Sequence, residues 1–413
     1  MKKILISLFS FLFLQATAQR TISGRVVTSE QGTPVPGCSV FISNSSIGVA
    51  TNKEGRFELT NVPPGRHELV VSSVGYETAV YPFASEQLPL KLKFELKIKV
   101  KELPNVLVEP YAEEGWEKWG KLFFSAFIGT DKNAGHCKIK NTEKIKFRYY
   151  KKSGRVVANC DEPVIIENKA LGYLIKYQLE EFQQDNTKKT LFFFGYPLFE
   201  DLSAGEKRIK PKWEKERLEA YNGSIVHFMA CLYKNTLAEE GFAVKRMSRY
   251  RNEEKDRIRR LIQQAIAQKK DSLVIVNVEK HYLLYGQPQD SGIYYQRIMR
   301  QSDFIDKYET QLLTADSISF RCDSGSFKCL SFNNYLSITY KKEKEDPLYL
   351  ASTGINRPLS YQHSLVTLIN NKVVFFNKTG SYYMPQDFFT EGYWGWGEKI
   401  STLLPIDYTL PPG

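Results

Sequence analysis

Apolar and polar residues alternate in short runs over the first hundred positions, and glycine or proline interrupts them every few residues. "TISGRVVT", "GCSVFIS", "GVAT", "RFELT", "HELVVSSV", "ETAVYPF" and "LKLKFELK" follow one another from Arg20 to about Pro110 with no helical period between them. Phe57 and Leu59 share one side of their strand, Leu69 and Val71 one side of the next, and turns fall at Asn52–Gly55 and Pro63–Gly65. Seven or so short strands with this punctuation predict a β-sandwich.

Behind "KELPNVLVEPYAEEG" the pattern changes. Trp116, Trp119, Phe123 and Phe127 stand at offsets of three, four and four, the stripe of an amphipathic helix expected to pack onto a sheet. Strand-like runs come next, with a hairpin at Lys152–Gly154. One helix is then predicted to end at Asn222–Gly223 and a second to begin with Ser224 as its N-cap. The stretch Lys245–Arg260 reads as a third, charged helix. From Ser272 strands resume, "GIYYQR" among them, with Asn370–Asn371 as the turn of "SLVTLINNKVVFFN".

Charge and the N-terminus add a compartment. Met1-Lys2-Lys3, an apolar run Ile4–Leu14 and Ala16-Thr17-Ala18 form a signal peptide cleaved after Ala18. Loss of Lys2 and Lys3 with it lowers the formal charge from +11 to +9, which favours anionic envelope components over nucleic acid in an exported protein. The expected location is the periplasm or the outer membrane, with peripheral membrane association. Six cysteines in an oxidising compartment invite pairing. Cys322 and Cys329 flank a tight turn and are the candidate disulfide; Cys38 and Cys231 read as buried thiols.

Gly24-Arg25-Val26-Val27, Pro34-Val35-Pro36-Gly37, Thr51-Asn52 with Gly55 and Phe57, Pro64-Gly65 and Gly75-Tyr76 together resemble the carboxypeptidase-like regulatory domain, a transthyretin-like sandwich. The resemblance implies the division 1–18 signal peptide, 19–110 regulatory domain and 111–413 an α+β region. The chain is thus expected to be α+β: a sandwich followed by a strand-rich region with a helical insert. In zinc carboxypeptidases this module accompanies an H-x-x-E metal stretch. Here Val70, Ile139, Ala230, Leu284 and Val366 stand three residues after the five histidines, and no H-E-x-x-H occurs, so no metal or cofactor is expected. The module also precedes receptor barrels, but 22 strands at roughly 10 residues each, with their loops, exceed the length of chain beyond Pro110.

The spacing W-x-x-x-R-x-x-x-Y-x-G-S-x-x-H-F, from Trp213 to Phe228, and the closing G-Y-W…L-P-x-D-Y resemble a family of envelope proteins that carry this module at the front. That resemblance implies no activity. Arg217, Tyr221 and His227 are the candidate ligand-binding residues there, joined by Trp394 and Trp396 as rings able to stack on a sugar. A serine that caps a helix is a poor nucleophile, so Ser224 and His227 are not expected to be catalytic. Arg249, Arg257 and Arg260 are the candidate anion-binding face of the basic helix. The expectation is a non-catalytic binding or structural accessory protein of the envelope, holding a protein, a glycan or an anionic lipid. The alternatives are a carbohydrate-binding protein and, last, a hydrolase.

Overall fold

The computed structural model describes residues 20–99, 111–206, 209–267, 273–277, 281–284, 289–322, 327–383 and 385–411; the signal peptide expected at 1–18 lies outside them. Two compact units are present, one running to Asn222 and rejoined by the chain from Gly397 on, the other Gly223–Trp396.

The first unit opens with seven strands: β1 (Ile22–Thr28), β2 (Ser39–Ile42), β3 (Gly48–Ala50), β4 (Arg56–Leu59), β5 (Arg66–Ser72), β6 (Ala79–Ala84) and β7 (Leu90–Leu96). They form sheets of order β4-β1-β7 and β3-β2-β5-β6, with β1 and β7 parallel. Ile22, Val26, Phe57, Leu59 and Leu96 of one sheet share a core with Val40, Ile42, Leu69, Val71 and Phe83 of the other. Gly24 is fixed by space: a Cβ there would stand 2.2 Å from the Leu92 carbonyl oxygen and 2.7 Å from the Phe57 ring. Gly55, at φ +71°, closes the turn whose Asn52 Oδ1 accepts from the Glu54 and Arg56 amides.

A seven-stranded sheet comes next, made of β8 (Tyr111–Glu114), β9 (Cys137–Ile139), β10 (Ile145–Tyr150), β11 (Arg155–Cys160), β12 (Val164–Asn168), β13 (Tyr173–Asp185) and β14 (Thr190–Asp201). β14 runs along one edge of β13, while β12 and β11 share the other. The aromatic stripe forms helix α1 (Trp116–Phe123) and a π-helical turn, and buries Phe123 and Phe127 against Phe147, Phe182 and Tyr177. Leu198 of β14 covers Phe41 and Val70 on the outer side of the sandwich, and Ser72 donates to Gln178 at 2.9 Å. Helix α2 (Pro211–Tyr221) ends this stretch.

The second unit contains helices α3 (Ile225–Lys234), α4 (Glu253–Ala267), α5 (Gln289–Met299), α6 (Pro347–Thr353) and α7 (Tyr393–Gly397), the last running into the unit boundary. Its strands are β15 (Phe242–Arg251), β16 (Leu273–Asn277), β17 (His281–Leu284), β18 (Phe304–Tyr308), β19 (Ser319–Arg321), β20 (Phe327–Leu330), β21 (Tyr335–Lys344), β22 (Tyr361–Leu368), β23 (Val374–Asn377), β24 (Tyr382–Tyr383) and β25 (Phe388–Gly392). They make a five-stranded sheet of order β18-β15-β21-β22-β25, a four-stranded sheet of order β19-β20-β23-β24 and the β16–β17 hairpin. Phe228, Met229 and Leu232 of α3 share a core with Val244, Ile338 and Val366 of the larger sheet and Leu330, Val374 and Phe376 of the smaller.

Two expectations are corrected here. The basic stretch is half strand: Phe242–Arg251 pairs with both β18 and β21, and the helix begins only after Asn252, whose Oδ1 caps it by accepting from the Lys255 amide at 3.1 Å. Arg249 therefore lies on a strand, apart from Arg257 and Arg260 on α4. "GIYYQR" belongs to α5 rather than a strand, because Ile298 packs against Ile258 and Ile262 of α4 with Tyr294 one helical turn before it. Asn370 and Asn371 turn the chain as expected, both at positive φ, and lead from β22 to β23 in another sheet.

Candidate binding surface

Trp213, Arg217 and Tyr221, the first half of the Trp213–Phe228 motif, are used up inside the first unit. Trp213 lies against Gly172, which takes φ +71° there, and its Nε1 donates to the Lys169 carbonyl at 3.0 Å. Arg217, 2 % exposed, donates from Nε to the Leu171 carbonyl at 2.8 Å and from Nη1 and Nη2 to both Asp201 oxygens at 3.0 and 3.1 Å. Its guanidinium sits 3.9 Å from the Tyr173 ring centroid. Those bonds hold the Asp201 carboxyl below its usual range despite burial. Tyr221 meets Tyr408 of the C-terminal tail. That tail is a strap. Ser401 donates to buried Asp131 and its carbonyl accepts from Asn168 at 2.9 Å, Ile406 enters the sandwich core, and Asp407 accepts from the Ser46 amide at 3.0 Å.

In the second unit Ser224 Oγ accepts from the His227 amide at 3.0 Å, so it serves as the N-cap of α3. The buried His227 ring accepts at Nδ1 from the Gly223 amide at 3.1 Å, which places the neutral ring's proton on Nε2, 3.9 Å from Glu240. Trp394 is 4 % exposed and donates from Nε1 to the Gly223 carbonyl at 2.7 Å. It is therefore a buried anchor, not a ring presented to a sugar. Of the five candidate ligand residues, Arg217 and Tyr221 belong to one unit and His227, Trp394 and Trp396 to the other.

Burial pushes the His227 imidazole down to about 4. The folded unit keeps it neutral, whereas the unfolded chain takes up a proton near pH 6.5. Its contribution is therefore complete above pH 6.5 and is lost as the pH falls from there to about 4. His363, lowered by burial too, acts in the same direction. Thermal unfolding followed through this window will show a falling midpoint, and His227→Gln will flatten part of the fall; an unchanged slope would contradict the assignment.

The side chains that do converge line one face of the five-stranded sheet. Arg249 on β15 donates from Nε and Nη2 to Asp306 of β18 at 2.8 and 2.9 Å, and from Nη1 to Glu391 of β25 at 2.8 and 3.1 Å. Its guanidinium lies 4.7 Å from the Tyr335 ring. In a flat sheet β15 and β25 would be about 14 Å apart, three strand spacings. Glu391 also stands in the row of Leu365, Ser337 and Lys245, four residues along β15 from Arg249, so a flat sheet would hold the two Cα atoms about 19 Å apart and the direct ion pair means that the sheet curls about this face. Ser337 Oγ and His363 Nε2 are 2.9 Å apart, and the rings of His363 and Tyr308 approach to 6.4 Å between centroids. Arg249 holds the Asp306 carboxyl below its usual range. Asp306 and Glu391 thus share the one guanidinium.

A second group adjoins β22. Glu345, 3 % exposed, accepts from both Arg357 nitrogens at 2.7 Å and from the Ser360 amide at 3.1 Å. Tyr349, Tyr393 and Trp396 form a half-buried ring triad with centroids 5.3 to 5.5 Å apart. Of the other candidates, Arg257 pairs with Glu254 at 2.6 Å, Arg260 is exposed, and Cys322 and Cys329 are joined, with Cα atoms 5.6 Å apart. Asp161 and Glu162 each pair with a lysine. Among the described residues no three His, Cys, Asp or Glu side chains gather as a metal site, and no helix is long and apolar enough to cross a membrane. Residues 306, 335, 337, 363 and 391 carry no local motif. Their only shared signal is strand alternation, which cannot tell which strands become neighbours.

Residues 22–108 match the CarboxypepD_reg-like domain family. A curated relative, TonB-dependent receptor P39 of Formosa agariphila, is 35% identical over 112 residues, 27% of this chain and 10% of the receptor. The chain thus spans about a tenth of that relative's length. Among solved structures, a chain of the cohesin–X-dockerin complex Coh3ScaB-XDoc_M1ScaA from Acetivibrio cellulolyticus is similar over 18% of this chain and 51% of its own, at 24% identity and a TM-score of 0.16. A protein of unknown function from Bacteroides fragilis NCTC 9343 aligns over 86% of this chain and 92% of its own, at 9% identity and a TM-score of 0.16.

Proposed function

We propose that this chain is an exported, non-catalytic binding protein of the cell envelope, whose first unit is a scaffold and whose second unit holds the partner on the curled sheet face. The carrying observation is the contrast between the two sets of side chains. Arg217, His227 and Trp394 are buried on internal bonds, whereas Arg249, Asp306 and Glu391, although paired with one another, stay partly exposed and share their face with Tyr308 and Tyr361. The regulatory module, its similarity to part of a TonB-dependent receptor and the N-terminal export pattern support an envelope setting.

Asp306 and Glu391 already occupy the Arg249 guanidinium, which favours a protein or glycan partner over an anionic lipid. A carbohydrate-binding reading draws on one further observation, the Tyr349–Tyr393–Trp396 triad beside a bidentate Arg357–Glu345 pair. Hydroxyl-radical footprinting of the purified mature chain tests both. Envelope polysaccharide is expected to protect Tyr361 and Trp396 roughly threefold or more, a size set by covering rings now partly open to water, while anionic vesicles protect neither. Protection by vesicles alone would contradict the reading.

A further inference from the structure

β18 is the outer strand of the five-stranded sheet, and its pairing with β15 has a fixed phase. The Asn252 amide donates to the Asp303 carbonyl at 2.9 Å and the Glu309 amide to the Arg246 carbonyl at 3.0 Å. Residues 303, 305, 307 and 309 therefore turn their backbone groups toward β15, and 304, 306 and 308 turn theirs outward. Among the described residues β18 has no second strand, so the amides and carbonyls of Asp306 and Tyr308 and the carbonyl of Phe304 form an open row.

Two of the usual protections of such an edge, a proline and a bulge, are missing, although it carries Asp306 and Lys307. Its apolar side chains are open as well: Phe304 is 46 % exposed, Tyr308 47 % and Ile305 53 %, with Tyr250 opposite Ile305 at 55 %. Phe304, Asp306 and Tyr308 share the curled face, while Ile305 and Lys307 share the other.

We propose that the β18 edge is a docking site for an extended polypeptide strand supplied by a different protein. A row of alternating backbone donors and acceptors is matched by another backbone, which selects polypeptide over glycan or lipid here. A second copy of this chain fits poorly. Antiparallel self-pairing through the outward groups centres on Asp306 and sets it against its own copy, with Ile305 against Lys307. A foreign strand instead places a donor side chain against the free lone pairs of Asp306, between apolar residues meeting Phe304 and Tyr308. This inference is independent of the carbohydrate reading, since it uses the backbone edge and not the ring triad.

The test uses the full mature chain and an acetylated, amidated nonapeptide of alternating valine and threonine with one central lysine. Amide exchange at Asp306 and Tyr308 is expected to slow about tenfold or more on adding the peptide, and a version N-methylated at alternate amides is expected to leave it unchanged. Tyr308→Pro removes only an outward amide and is expected to weaken binding about tenfold, whereas Tyr308→Ala, which keeps that amide, loses about threefold or less. Should the proline variant not fold, the N-methylated peptide decides alone. Equal binding of both peptides, or no slowing of exchange at these two amides, overturns the proposal. Protection of the same amides in the free protein, with dimers in sedimentation, overturns it in favour of a second copy.

Discussion

Replacing Arg217 by alanine will lower the unfolding free energy of the first unit by roughly 3–5 kcal/mol, the range for breaking a buried ion pair from one side. The size reflects the groups left behind. Asp201 loses both guanidinium bonds, the Leu171 carbonyl loses its arginine donor, the Gly172 carbonyl keeps only the Leu202 amide, and the Tyr173 ring loses the cation stacked on it. Arg217→Lys should recover little, because an ammonium cannot supply the planar fork that spans two carbonyls and a carboxylate. Urea unfolding measures the difference. A loss near the 0.5 kcal/mol typical of an exposed surface change would show that Arg217 is not the clamp described.

Ending the chain after Trp396 is the second large effect. Ile400 is 2 % exposed in the core of the seven-stranded sheet, and emptying that site alone costs about 2–5 kcal/mol. The same cut strips buried Asp131 of its serine partner, frees the Asn168 amide and removes Ile406 from the sandwich core. Because the tail bonds to the seven-stranded sheet and to the sandwich, the truncated chain should melt at a lower temperature and be cleaved by trypsin within residues 20–222 under conditions where the parent is resistant. Equal resistance would mean that the strap adds nothing.

How far the sequence alone reaches depends on where the information sits. The sandwich is legible because its turns are local: Asn52, Gly55 and Gly65 each mark a reversal with a backbone reason nearby. The N-cap at Ser224 is legible for the same reason. The Lys245–Arg260 stretch misleads because charge count resembles a solvated helix, while the decisive features are the alternation of Phe242 and Val244 and the cap at Asn252. Trp394 reads as a sugar-facing ring because composition does not report burial. The curled face is out of reach altogether, since its members come from β15, β18, β21, β22 and β25 and meet only after the strands are ordered.

The central claim, that the chain is exported and meets its partner through the curled face of the second unit, is tested most directly in the intact envelope. A photoreactive benzoyl-phenylalanine placed at Tyr361, on the rim of that face, is compared with one at Lys212, exposed on the scaffold helix α2. The protein is expected in the envelope fraction with Gln19 as its first residue. Illumination is expected to give a discrete adduct from position 361 and none from position 212. An intact Met1 in the cytosolic fraction, or adducts from position 212 alone, would contradict the claim.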